Sequence, residues 1–114
     1  MMLSSSAARE SGPEFEMGGF SLACASIECL TRSLAGEVGR YGVRVVALRP
    51  NFTPDTHPEW DIEEGGLDHL INRTALRRLP RMAEVGRTAA FAAPDHAGPM
   101  TGAVLNLSCG AIVD

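Results

Sequence analysis

The sequence contains no lysine, and all ten of its basic residues are arginines. Tyrosine and tryptophan occur once each, as Tyr41 and Trp60, and only 5% of the 114 residues are aromatic. Chemistry that needs an ammonium beside its reacting group therefore has no residue to supply one. No apolar run approaches the ~20 residues that span a bilayer. The opening MMLSSSAARESG has neither the charged nor the apolar region of a signal peptide, so a cytoplasmic protein without membrane contact is expected. Cys24, Cys29 and Cys109 are odd in number and lack metal-ligand spacing, which argues against a disulfide framework and a zinc site. Asn51, Asn72 and Asn106 begin glycosylation-type triplets that, without a secretory signal, read as chance. A net charge of −4 argues against nucleic acid and anionic membranes as partners. The one dense basic stretch, Arg73, Arg77, Arg78 and Arg81, reads as a solvated helix end.

What is present is an ordinary globular composition, 45% hydrophobic, sufficient for one domain over 1–114. The organising stretch is Phe20 to Pro50. Phe20, Cys24, Ile27, Leu34 and Val38 recur at helical spacing and predict one buried face. Leu22, Ala23, Ala25, Cys29, Leu30 and Ala35 spread apolar or small surface around the rest of the helix, so a second helix or another subunit is expected to cover it. Gly42 stands where a left-handed residue ends a helix. Val43 to Leu48 is a β-branched apolar run with the pattern of a strand buried on both faces, and Pro50 ends it for lack of an amide hydrogen.

Met1 to Ser4 reads as the tail of a strand, and Ala7 to Gly19 as a loop broken at Gly12-Pro13 and Gly18-Gly19. Asn51 to Gly66 is an acidic, proline-containing loop. A short amphipathic helix follows at Leu67, Leu70 and Ile71, then a helix from Met82 to Ala93 stopped by Pro94, and a last strand from Ala103 to Leu107. Alternating strand and helix predict a parallel α/β sheet. Trp60 is open to two readings, a wall of a substrate pocket or a ring packed on its own scaffold. Asp55, His57, Glu59 and Asp61 are metal-type ligands in sequence, but their alternation on a proline-broken loop suits a solvated acidic segment, and no metal site is expected. His69 and His96 read as surface residues.

Leu30 to Pro50, LTRSLAGEVGRYGVRVVALRP, resembles the part of short-chain dehydrogenases/reductases between their Tyr-x-x-x-Lys motif and the Pro-Gly of their nicotinamide loop. Glu84-Val85, Phe91 to Asp95, Thr101-Gly102 and Leu107-Ser108-Cys109-Gly110 continue the resemblance, in that family's order and spacing, over nearly the whole chain. It implies an α/β fold, the C-terminal half of a doubly wound parallel-sheet, Rossmann-like domain. No G-x-G-x-x-G or G-x-x-x-G-x-G phosphate turn occurs in these residues. A sheet cut at this point is expected to leave an unpaired edge and a marginally stable chain.

The resemblance also implies the chemistry. In the family a tyrosine passes a proton to or from the substrate oxygen, a lysine four residues on lowers its pKa and holds the ribose, and a serine orients the substrate. Alignment places Phe20 at the tyrosine and Cys24 at the lysine, so both functional groups are missing. Ser6, or Ser5 if the loop is one residue longer, takes the serine position. Pro50, Asn51, Phe52 and Thr53 take the cofactor loop, with Asn51 replacing glycine because asparagine tolerates a positive φ, and Thr53 at the carboxamide. Asp55 replaces the family's threonine unless the loop shifts to use Thr56. Cys24 can also be read as a redox thiol near a helix start, or as a small buried hydrophobe.

NAD or NADP is thus implied by family alone, with no tight binding expected of this chain. The expected function is that of an oxidoreductase-like protein without its catalytic pair, inactive alone. The alternatives are a non-catalytic subunit that forms homo- or hetero-oligomers through the Phe20 to Arg40 helix, or a fragment whose complete form acts by another proton route.

Overall fold

The computed structural model describes residues 1–12 and 16–114. Three parallel strands, β1 (Met2–Leu3), β2 (Ala47–Pro50) and β3 (Val104–Leu107), form one sheet in sequential order. Met2 pairs with Ala47, and Ala47 to Pro50 pair with Val104 to Leu107. Between them lie α1 (Gly18–Val38), the single turn α2 (Asp68–Ile71) and α3 (Met82–Ala92). This is the expected α/β order. Pro13, one of the expected loop breakers, lies outside the described residues.

Helix α1 ends as its sequence requires: Gly42, at φ 73°, closes the tight turn that follows. Strand β2 differs from expectation. Its ladder covers Ala47–Pro50 rather than Val43 to Leu48. The Val45 N–H is taken by the Thr101 hydroxyl at 3.0 Å and its carbonyl by Gly102 N–H at 2.7 Å, so Val45 is held by a loop. Arg44 leaves the strand pattern too. Its guanidinium donates to the carbonyls of Ala92, Ala93, Pro94, Ala97 and Met100, which satisfies the end of α3.

The face that α1 buries runs along the predicted side, where Cys24 is buried and Ile27, Leu34 and Val38 are half-buried, but polar residues share it and its Phe20 end is open. Cys24, Glu28, Thr31 and Ala35 are its buried residues, whereas Phe20 is 55% exposed. Ala35, expected on the outer surface, belongs to the core side. The polar members are held by short bonds. Thr31 donates to the Ile27 carbonyl at 2.8 Å, and Glu28 Oε1 accepts the Ser4 hydroxyl at 3.0 Å. Arg49 Nε lies 3.0 Å from the same carboxylate oxygen without an N–H aimed at it, while its terminal nitrogens bond Asp114 at 3.1 and 2.9 Å. A buried carboxylate is tolerated only when paired in this way. Arg49 also holds the Asp114 carboxyl below its ordinary pKa.

Candidate active-site cleft

Parallel pairing brings the C-terminal ends of β1 and β2 side by side, and the loops leaving them meet the first turn of α1. A cleft of about 560 Å³ opens there, lined by Ser5, Ser6, Glu10, Phe20, Pro50 to Thr53, Trp60 and neighbouring residues. The carboxyl ends of parallel strands are where open α/β sheets bind ligands. Ser6, the expected catalytic serine, is 3% exposed and lines this cleft. Ser5 instead caps the short turn Ser6–Ala8, its hydroxyl accepting Ala7 N–H at 3.3 Å.

The Ser6 hydroxyl reaches two acceptors, Glu10 Oε2 at 2.9 Å and Asn51 Oδ1 at 3.2 Å. One hydroxyl proton cannot serve both. Phe52 N–H donates to Asn51 Oδ1 at 2.7 Å, which fixes the amide with its oxygen toward this cluster. Asn51 is therefore held by its own side-chain turn and is not among the residues at positive φ, contrary to the expected glycine-like role. Glu10 was not legible as a site residue, because it sits in a polar loop without a motif.

Phe20 stands on the cleft wall and Cys24 follows one helical turn later, 4% exposed and outside the cleft lining. The Ser4 hydroxyl oxygen lies 3.2 Å from the Cys24 carbonyl and 3.0 Å from Glu28 Oε1, two acceptors that share its one proton. Burial first and the Glu28 carboxylate second push the Cys24 thiol up, against a hydrogen bond from the Ser5 backbone. A raised thiol is the reverse of what a redox nucleophile needs, so Cys24 acts here as a small buried hydrophobe. Cys24 supplies no cation one helical turn from Phe20.

The loop after β2 places Thr53, 8% exposed, and Thr56 on the cleft, with Thr56 donating to the Thr53 carbonyl at 2.7 Å. Asp55 points elsewhere. Its carboxylate accepts Met82 N–H at 3.0 and 3.1 Å and so caps α3. Thr53 and Thr56 suit the amide end of a nicotinamide. The buried thiol at Cys24 does not suit a ribose hydroxyl, so the fit to a dinucleotide is partial.

Three rings lie roughly parallel in the same loop. His57 and Trp60 are 4.0 Å apart between centroids at 11°, and Phe52 lies 5.7 Å from His57 and 5.8 Å from Trp60. Trp60 thus satisfies both readings of it, stacked on its own loop and lining the cleft. His57 Nδ1 is 3.4 Å from Glu59 Oε1, and no group of three metal-type ligands converges among the described residues. His69 is exposed at the cleft and His96 is exposed beside Phe91.

Residues 1–111 match the family described as enoyl-(acyl carrier protein) reductase. The chain is 33% identical over 91 residues to the 3-oxoacyl-[acyl-carrier-protein] reductase FabG of Pseudomonas aeruginosa, covering 80% of this chain and 36% of that protein. It is 37% identical over 92 residues to the oxidoreductase UcpA of Salmonella typhimurium, covering 73% and 34%. Among solved structures it superposes on a short-chain dehydrogenase/reductase family oxidoreductase from Burkholderia thailandensis with a TM-score of 0.83 and 25% identity, over 96% of this chain and 42% of the other. The promiscuous reductase LugOII, which catalyses keto-reduction at C1 during lugdunomycin biosynthesis, gives the same TM-score, 0.83, with 25% identity and coverage of 96% and 42%. The match thus spans 36% and 34% of the length of these two curated relatives. Profile, relatives and superposed folds agree, and the chain belongs to the short-chain dehydrogenase/reductase family.

Proposed function

We propose that this chain is an oxidoreductase-type half-site that keeps the substrate and nicotinamide walls of the family's cleft but cannot run the tyrosine–lysine proton transfer. The observation that carries this reading is the pair Phe20 and Cys24, a ring without a hydroxyl and a buried thiol raised in pKa, in a chain with no lysine. Tyr41, the only tyrosine, is at the far end of α1 and stacks against the Arg40 guanidinium at 4.9 Å. Ser6 alone orients but does not supply a stabilised proton donor. The chain alone therefore neither holds a dinucleotide tightly nor reduces carbonyls. Its three unpaired thiols support a reducing, cytoplasmic setting. The test is NADPH oxidation by the purified chain over a panel of ketones, with no protein-dependent rate expected. A reproducible rate would end the reading.

A second reading is favoured by the outer face of α1. Leu22 is 69% and Leu30 50% exposed, and Cys29 is exposed beside them. An apolar stripe left uncovered in this way suits a helix-to-helix contact with an intact relative or a second copy, making the chain an interaction subunit. It predicts co-purification with such a relative and release on Leu22→Glu. A monomer indifferent to that substitution would count against it.

A further inference from the structure

The cleft has an unusual division of character. Part of its lining is the cluster of Ser6, Glu10 and Asn51 and part is the rings of Phe20, Phe52, His57 and Trp60, with Glu16, His69 and Arg73 also on it. At the polar end the Ser6 hydroxyl, Glu10 Oε2 and Asn51 Oδ1 lie within 2.9 to 3.2 Å with one hydroxyl proton between them. Asn51 Oδ1 takes a further proton only from its own neighbour, Phe52 N–H. The Glu10 carboxylate has lone pairs to spare beyond the one Ser6 proton it takes, so it draws the O–H of a ligand, while the only donors left beside it are the Asn51 Nδ2 amide hydrogens.

At the apolar end the open surface is aromatic. Trp60 is 53% and Phe20 55% exposed while both line the cleft, and Trp60 is braced by the parallel rings of His57 and Phe52, which line it too. Bracing matters, because a ring already held in one orientation loses little freedom when a ligand stacks on it. Phe20 adds to this effect. The substitution that removes a proton donor also removes a polar group from the wall.

Resting on the reading of this cleft as the family's substrate site, we propose that it binds flat aromatic alcohols or phenols, with the ring against Trp60 and Phe20 and the hydroxyl donated to the Ser6, Glu10 and Asn51 cluster. The occupant is defined by a planar fused ring of about two or more cycles and one hydrogen-bond donor at its edge. The cleft volume of about 560 Å³ accommodates a molecule of that size.

The experiment is calorimetric titration of the full chain with three probes: 2-naphthol, 2-methoxynaphthalene, which keeps the ring and loses the donor, and decahydro-2-naphthol, which keeps the donor and loses the flat ring. The single Trp60 indole N–H resonance is followed in parallel. The expected result is 2-naphthol bound about tenfold tighter than either control, with a saturable shift of the Trp60 resonance. Trp60→Leu should erase the preference over decahydro-2-naphthol, and Glu10→Gln should erode the preference over 2-methoxynaphthalene. Tyr41→Leu, at the other end of α1, should change neither. Equal affinity for the three probes, no binding, or an equal loss in Tyr41→Leu would overturn the proposal. No cofactor is present, so the outcomes separate. Failure of binding with no NADPH oxidation removes this inference and leaves the half-site reading, while selective binding with NADPH oxidation does the opposite.

Discussion

Glu28 Oε1 and Arg49 Nε lie 3.0 Å apart beneath α1, with side chains 7% and 3% exposed. Their contact joins the helix to the central strand, and Ser4, just after β1, and Asp114 complete it. Removing Arg49 leaves the buried Glu28 carboxylate without its cation, whereas removing Glu28 leaves Arg49 still paired to Asp114. Arg49→Leu should therefore cost about 3 kcal/mol, read as a lower urea midpoint, whereas the double replacement Glu28→Leu, Arg49→Leu should recover most of that loss. A double variant no more stable than the single one would show that the pair contributes more than mutual neutralisation.

Glu84 gives the chain an acid-sensitive contact. Its carboxylate accepts Arg78 Nη1 at 2.8 Å and Arg81 N–H at 2.9 Å at the start of α3. These partners, Arg78 foremost, lower its pKa from 4.5 to about 2. A group with a depressed folded pKa stabilises fully above its unfolded value and loses that contribution as the pH falls through the folded one. The stability difference between the parent and Glu84→Gln should be constant at neutral pH and shrink between pH 4.5 and about 2. A difference that does not change across that window would contradict the assignment.

Gly110 is the point where the C-terminal turn touches the segment after α2. It sits at φ 81°, and an added Cβ would come within 2.5 Å of Ala75 Cβ. Ala75 and Leu76 N–H bond the carbonyls of Gly110 and Cys109 at 3.3 and 3.0 Å, so the backbone has little room to withdraw. Gly110→Ala should cost about 2 kcal/mol from the strained φ and the clash together, measured by thermal or urea unfolding. A loss below about 0.5 kcal/mol, the usual range of a surface substitution, would mean that this junction is looser than described.

These contacts show which parts of the molecule its sequence discloses. The helix α1, its left-handed stop at Gly42, helix α3 and strand β3 follow from spacing and from a glycine that enters the left-handed region without strain. The polar members of the buried face of α1 do not follow. Periodicity counts apolar side chains, and Glu28 and Thr31 are buried through partners, Ser4 and Arg49 for the one and the Ile27 carbonyl for the other, that no local pattern announces. Phe20 has the right spacing but sits at a helix end on the cleft wall, outside the sheet's cover. At the site, Ser6, Phe20 and Thr53 are visible through the family pattern. Glu10 is not, and Asp55, which the pattern sets at the family's threonine unless the loop shifts to Thr56, caps α3 while Thr56 lies on the cleft. Chain-distant pairs of this kind exist only once the fold has formed.

The central claim is that the cleft at Ser6 retains walls without a proton-transfer pair. It is tested most directly by a single-turnover reaction in which the chain, in excess over an aryl ketone, is mixed with NADPH carrying deuterium on the transferable position of its dihydronicotinamide. The product alcohol is then weighed for deuterium by mass spectrometry. The account predicts no label beyond the protein-free control. Stoichiometric label that disappears in Ser6→Ala would contradict it.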